Sequence, residues 1–248
     1  MDRLQRDFHQ QADKKRYQNR LENPFIRPKE IRLAAHIAEV IGDNGNSVLE
    51  IGCGEGNNLV YLRQQLPEAE FVGMDFSFSK TCFLKQAIPA AKSVCGDATT
   101  LPFSSNRFDL VLGRDLLHHV PADRQEVIAE AYRVLKPGGA AVFLENRGDT
   151  WLNKVFSALV PAEKHMQENT RQMLTNLISH YPSHSVCFVE ASQLVRALSY
   201  PFGWPQGFWR IPVGAALSVA AFWESMFARI APKGKWSTIM LIVRKQGR

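Results

Sequence analysis

Cysteine is scarce and unpatterned. The 248 residues include four, Cys53, Cys82, Cys95 and Cys187, with no Cys-x-x-Cys pair and no zinc-like spacing. A disulfide-stapled secreted domain and a structural zinc module are excluded, and a reducing cytoplasm is the expected compartment. The first twenty residues, MDRLQRDFHQQADKKRYQNR, hold no apolar stretch, so no secretory signal is expected. Long uncharged runs are also missing. The run IPVGAALSVAAFW, Ile211 to Trp223, falls short of the roughly 18 residues of a spanning helix and is followed by Glu224 and Arg229, so no transmembrane segment is expected. His9, His165, His180 and His184 are isolated, and no metal site is expected. Internal repeats and low-complexity segments are absent. The charge imbalance is modest: a net charge of +6 and a pI near 9.2 are common among soluble enzymes, so nucleic acid is not the expected partner. Much of that excess lies at the start, where Arg3, Arg6, Lys14, Lys15, Arg16 and Arg20 read as a solvated helical face.

What is present is a globular composition, 45% hydrophobic and 22% charged, at a length that fits one domain. Three regions succeed one another: a helical lead-in over 1–46, a regular core over 47–147, and a less regular region over 148–248. In the lead-in, Ile31, Leu33, Ala34, Ile37, Ala38 and Ile41 form an apolar stripe after a break at Asn23-Pro24 and Pro28. In the core, the runs VLEIG, FVGMD, SVCGD, FDLVLG and AAVFLE alternate with helical segments, which predicts a doubly wound, mostly parallel α/β sheet. The helix before AAVFLE is expected to start with a capping box at Asp123 and Glu126 and to stop at Pro137-Gly138-Gly139. Beyond residue 147 helical segments are expected at about 150–180 and 191–199, with WSTIMLIVRK as a closing strand.

The sequence with most chemical content is VLEIGCGEGNN, residues 48–58. Gly52, Gly54 and Gly56 stand on alternate positions, where the missing side chains allow a tight turn and close approach of a ligand. A dinucleotide enzyme would show GxGxxG spacing with backbone amides facing pyrophosphate. The GxGxG spacing, with the acidic Glu50 two positions before the first glycine, suits a cationic, phosphate-free ligand better, and S-adenosylmethionine carries a sulfonium and an amino group. Asp75 closes the next strand, where an acidic residue accepts ribose hydroxyls, and Asp97 ends the following one, near an adenine edge. A plain tight turn is the alternative for the glycines alone.

Residues 47–145 resemble the small-molecule class of S-adenosylmethionine methyltransferases, including the quinone-methylating branch. VLEIGCGEG is similar to their first motif, FVGMDFS to the second, CGDATTLPFSSNRFDLVLGRDLLHHV to the next pair and RVLKPGGAAVFLE to the last. The resemblance implies a seven-stranded sheet whose last strand is antiparallel, with helical and aromatic insertions before that strand. It also implies that Glu50, Gly52 and Gly54 line the methionine end of S-adenosylmethionine, with Cys53 and Gly56 in the same loop. Asp75 and Phe76 would meet the ribose and adenine, Asp97 and Ala98 the adenine edge, and Arg114 the strand end beneath the sulfonium. Arg114 departs from the small or polar residue of many relatives.

His118 and His119 follow the strand that should point at the methyl group. His118 is the candidate for taking a proton from the acceptor, the alternative being that LHHV only opens a helix. Tyr17 is either a lid over the cofactor or an aromatic edge packing a surface helix. The segment from Tyr200 to Trp236 holds four of the five tryptophans, and reads as core filling, as a wall for a greasy or aromatic acceptor, or as a membrane-contacting patch. No [DNS]PP[YFW] stretch, typical of nucleic-acid-aminomethylating enzymes, follows FDLVLG. The expected function is methyl transfer from S-adenosylmethionine to O, N or C of a small, apolar or aromatic acceptor, with S-adenosylhomocysteine as product and peripheral membrane contact as a further expectation. The alternatives are an RNA or protein methyltransferase, a nicotinamide-dependent oxidoreductase and a cofactor-binding relative without activity.

Overall fold

The computed structural model describes residues 10–190 and 213–247, apart from 24, 43, 44, 151, 152, 155–157, 159, 160, 231 and 233–235. Helix α1 (Lys14–Glu22) starts where the Asp13 carboxylate accepts from the Arg16 amide, a side-chain cap on one of the unpaired first-turn donors. Helix α2 (Arg27–Ile41) buries Leu33, Ala34, Ile37 and Ile41. Pro28, grouped with the break by the sequence reading, instead lies in the first turn of α2, where its missing N–H costs no hydrogen bond.

Seven strands form one sheet: β1 (Ser47–Ile51), β2 (Glu70–Asp75), β3 (Lys92–Cys95), β4 (Phe108–Arg114), β5 (Leu135–Asn146), β6 (His184–Glu190) and β7 (Thr238–Arg244). Their order is β3-β2-β1-β4-β5-β7-β6. The pairs from β3 to β5 are parallel, and β7 runs antiparallel to both β5 and β6. Successive side chains of a strand point to opposite faces, and the core divides accordingly. Leu49, Ile51 and Val111 pack with Ile128 and Val134 of α5 (Arg124–Val134) and Leu174 of α6 (Arg171–Ile178). Val48, Leu110 and Leu112 pack with Leu33 of α2, Leu59 of α3 (Asn57–Gln65) and Leu84 of α4 (Phe78–Ala87). Helices therefore cover both faces, the arrangement that a mostly parallel sheet requires.

Three expectations are corrected. The side chain of Asp123 makes no capping hydrogen bond to α5. That helix does not run to Pro137-Gly138-Gly139: it ends at Val134, and β5 begins at Leu135, with the Pro-Gly-Gly segment inside the strand where the pairing with β4 shifts register. Strand β6, HSVCFVE, an edge strand with no fully buried residue, was missed within a region read as irregular. In the 150–180 region the structure has a 3-10 segment, Pro161–Glu168, followed by α6. The helix expected at 191–199 and the aromatic stretch 200–209 lie outside the described residues. The uncharged run enters α7 (Val213–Ile230), on which Val219, Phe222, Trp223, Phe227 and Ile230 are exposed.

Candidate cofactor site

The carboxyl ends of β1, β2 and β4 converge on the loop between β1 and α3. Gly52, Gly54 and Gly56 all have positive φ, at 68°, 54° and 88°, in the left-handed region that disfavours side chains. Two of them have different packing reasons. A Cβ on Gly56 would come 2.4 Å from Leu84 Cδ1 of α4, so that glycine lets two helices close up. A Cβ on Gly54 would meet nothing within 4 Å, so that position borders open space into which a ligand can come against bare backbone.

Asp75 braces this loop. Its Oδ2 accepts from the Gly54 amide at 2.9 Å and its Oδ1 from the Ser77 amide at 2.9 Å, and each oxygen keeps a second lone pair for a ligand hydroxyl. Burial raises its pKa, against the pull of nearby Lys80 and of those two amides. Phe76, the next residue, is 38% exposed and stands at the rim. Asp97 is exposed and accepts from the Thr99 amide and hydroxyl, both at 2.8 Å, closing a turn beside half-buried Ala98. Cys53 is buried and its thiol pKa is pushed well up by that burial, which makes it a packing residue with an unreactive thiol.

Glu50 is fully buried at the end of β1. Asn58 Nδ2 donates to its Oε1, whereas Oε2 has no hydrogen-bond partner. Asn58 in turn accepts from Arg114 at 2.7 Å, and Arg114 grips Glu30 of α2 through both guanidinium nitrogens. The Arg114 guanidinium is thus held by Glu30 and Asn58. Burial raises the Glu30 carboxyl, but Arg114, Arg20 and Lys29 together outweigh that and bring it to about 2. The opposite holds at Glu50, where burial dominates the pulls of Asn58, Arg114 and Arg20 and lifts the carboxyl to about 8.

The chain before α1 crosses this loop. Ser77 Oγ donates to the Gln10 carbonyl, the Ala12 amide to Ser79 Oγ at 3.2 Å and the Asp13 amide to Glu55 at 3.0 Å. Arg16 holds Glu55 at 2.8 and 2.9 Å, and Tyr17 packs edge-on against Phe83, with ring centroids 5.1 Å apart. At the end of β4, His118 lies in a 3-10 turn, Leu117–His119, rather than opening an α-helix. Its Nδ1 is 2.9 Å from Glu145 Oε2, and the Glu145 carboxylate also accepts from the Leu116 and Leu117 amides and from Asn169. Sequence reasoning missed Asn58, Glu30, Glu145 and Asn169. Asn58 alone carried a signal, standing second in the helix that the glycine loop opens.

Comparison with known proteins places these residues in a family context. Residues 49–143 match a family described as a methyltransferase domain. The chain is 37% identical over 111 residues to a phthiotriol/phenolphthiotriol dimycocerosates methyltransferase of Mycobacterium tuberculosis, covering 44% of this chain and 41% of that protein. It is 40% identical over 110 residues to an uncharacterized methyltransferase of Synechocystis, covering 44% of this chain and 51% of that one. The matches thus span about half or less of the curated relatives' length. Among solved structures, the plantazolicin methyltransferase in complex with SAH superposes with a TM-score of 0.62 at 17% identity, over 98% of this chain and 94% of that one. Geranyl diphosphate C-methyltransferase from Streptomyces coelicolor, in complex with Mg2+, geranyl diphosphate and S-adenosyl-L-homocysteine, gives 0.61 at 13% identity over 89% and 82%. At these identities the likeness establishes the fold: the seven-stranded sheet with its antiparallel β7 is that of the class I methyltransferases.

The Glu30–Arg114 pair makes a testable contribution to stability. Because the folded-state carboxyl of Glu30 lies at about 2, below its usual 4.5, its stabilisation is complete above pH 4.5 and is lost as pH falls toward 2. Linkage puts the effect on the order of 3 kcal/mol. Urea unfolding between about pH 5 and pH 3 should show a steeper loss of stability in the wild type than in Glu30→Gln, and parallel slopes would refute the assignment. Arg114→Met, which leaves the Glu30 carboxyl buried without its cation, should cost about 3–5 kcal/mol at neutral pH.

Proposed function

We propose, from the match of residues 49–143 to a methyltransferase-domain family, that the chain transfers a methyl group from S-adenosylmethionine to a small, lipophilic acceptor. The observation that carries this reading is the loop that Glu50 and Gly54 form. A buried, unpaired carboxyl oxygen and bare left-handed backbone lie at the carboxyl edge of the sheet, where such folds bind ligands. A cationic amino acid end fits that donor and acceptor set: Glu50 Oε2 takes an ammonium, and the positive-φ backbone at Gly54 lets the ligand chain pass. Asp75, fixed by the Gly54 and Ser77 amides, offers its remaining lone pairs to the ribose hydroxyls. Phe76, Asp97 and Ala98 border the adenine. When bound, S-adenosylmethionine supplies an electrophilic methyl group on a sulfonium. The chain's part is then chiefly to hold and align, because an in-line displacement gains most from proximity and orientation.

His118 is the residue we assign to the acceptor's proton. We assign the His118 proton to Nδ1, facing the Glu145 carboxylate that accepts from two amides and from Asn169, an assignment that makes Nε2 the basic nitrogen. On the acceptor side, the mycobacterial relative is named for a lipid-like dimycocerosate and one structural neighbour for geranyl diphosphate, which supports a lipophilic acceptor. The exposed Phe222, Trp223 and Phe227 of α7 support a second part of the reading, peripheral contact with a membrane that presents that acceptor. No helix among the described residues is long and apolar enough to cross a membrane.

Three outcomes test this. S-adenosylhomocysteine should bind the purified chain, and Gly54→Val, which fills the open position with a β-branched side chain at a positive φ, should weaken binding by at least about 100-fold in calorimetry; wild-type affinity in that variant would remove the loop from the site. His118→Ala should leave that affinity unchanged and lower turnover by less than about 100-fold, if alignment dominates over proton removal. A loss beyond about 10⁴-fold, restored by exogenous imidazole, would instead make the base essential. Neutral liposomes should pull down the wild type and release a Phe222→Ser, Trp223→Ser, Phe227→Ser variant; failure of the wild type to sediment removes the membrane part of the reading.

A further inference from the structure

Glu50 is the one buried carboxyl among the described residues with an oxygen that no donor reaches. The groups around it come from every neighbouring element. Asn58 of α3 donates to Oε1; Arg114 of β4 and Arg20 of α1 bring positive charge; Asp75 of β2 and the Cys53 thiol bring negative charge or none. Behind Arg114 stands Glu30 of α2, which takes up the guanidinium in a two-nitrogen grip. Arg20 lies 4.0 Å from Asp115 Oδ2. Both cations near Glu50 therefore already face other carboxylates, and an ionised Glu50 would lack a counter-charge of its own in a buried position.

We propose that Glu50 is a neutral carboxyl in the protein without cofactor and gives its proton to solvent as the ammonium of S-adenosylmethionine or S-adenosylhomocysteine docks at Oε2, so that cofactor capture and proton release are one event. The inference rests on the cofactor reading above and adds the protonation state. The balance is simple: the O–H bond of Glu50 breaks, the proton passes to water, the ammonium keeps its three protons, and one of them enters a charge-assisted hydrogen bond to the new carboxylate. Asn58 and Arg114 are positioning residues in this scheme. Asn58 holds Oε1, Arg114 holds Asn58, and Glu30 takes up the Arg114 guanidinium, which leaves Oε2 without a donor. Burial supports the scheme by lifting the Glu50 carboxyl to about 8, above the pH at which the protein would normally work.

The sign follows directly. Below pH 8 the proton must be expelled before the ion pair forms, so affinity rises with pH and levels off near 8. Calorimetric titration of the full chain with S-adenosylhomocysteine, run from about pH 6 to pH 8 in buffers of low and high ionisation enthalpy, reads both quantities. Close to one proton should be released per ligand at the lower end, and affinity should rise about tenfold per pH unit there. Glu50→Gln, which mimics the neutral form in shape, should bind more weakly with no proton release and a flat profile. Asn58→Ala, which keeps Glu50 but removes the bond that favours its ionised form, should move the levelling point to higher pH. Binding by the wild type with no proton exchanged, or a pH slope that persists in Glu50→Gln and so belongs to Asp75, overturns the proposal while leaving the cofactor reading intact. No binding at any pH, with the fold intact by circular dichroism, overturns both.

Discussion

A carboxyl group withdrawn from water with one oxygen unmatched costs about 1–3 kcal/mol, and the arrangement around Glu50 exists to hold that cost in place. Asn58 fixes one oxygen, Arg114 fixes Asn58, and Glu30 fixes Arg114, so a single line of polar contacts runs from the end of β1 through α3 and β4 to α2. The helical lead-in is thereby tied to the end of β1, because Glu30 of α2 takes up the guanidinium of Arg114. The Gln10 to Tyr17 stretch extends the same logic on the solvent side, where Glu55 and Ser77 tie it across the glycine loop.

The central strands of the parallel half, β1, β2, β4 and β5, were legible because they are largely buried and so read as apolar runs, and the edge strand β3, which has no fully buried residue, because Gly96 and Asp97 punctuate its end. VLEIGCGEG announces a strand, a turn and a helix start within nine residues, and the structure has all three. Strand β6, the other edge strand, has no fully buried residue either and lay within a region read as irregular. The end of α5 was misread for a physical reason. Leu135 adopts an extended conformation immediately after Val134, so that β5 starts before the Pro-Gly-Gly segment, which is then absorbed as a local register shift against β4.

Within the candidate site, the residues legible in sequence were the glycines and the carboxylates at strand ends. Residues that set the electrostatics were invisible, because Glu30 is distant in sequence from Arg114 and nothing in either segment marks the pair. The acceptor side shows the same division. His118 stood out beside a motif, but Glu145, which faces its Nδ1, and Asn169, which bonds Glu145, lie on β5 and beyond the 3-10 segment and come together only through the fold. Elements after β5 carry no such motif, and the apolar surface of α7 is visible only once its exposure is known.

The central claim, that the unpaired oxygen of Glu50 is the anchor for the cofactor's amino group, is tested most directly by a crystal structure of the chain grown with S-adenosylhomocysteine. The account predicts the ligand's amino nitrogen at about 3 Å from Glu50 Oε2, with Asn58 still on Oε1 and the ligand chain passing over Gly54. Density for the amino acid end elsewhere, with Glu50 Oε2 left unpaired or turned to Arg114, would contradict it.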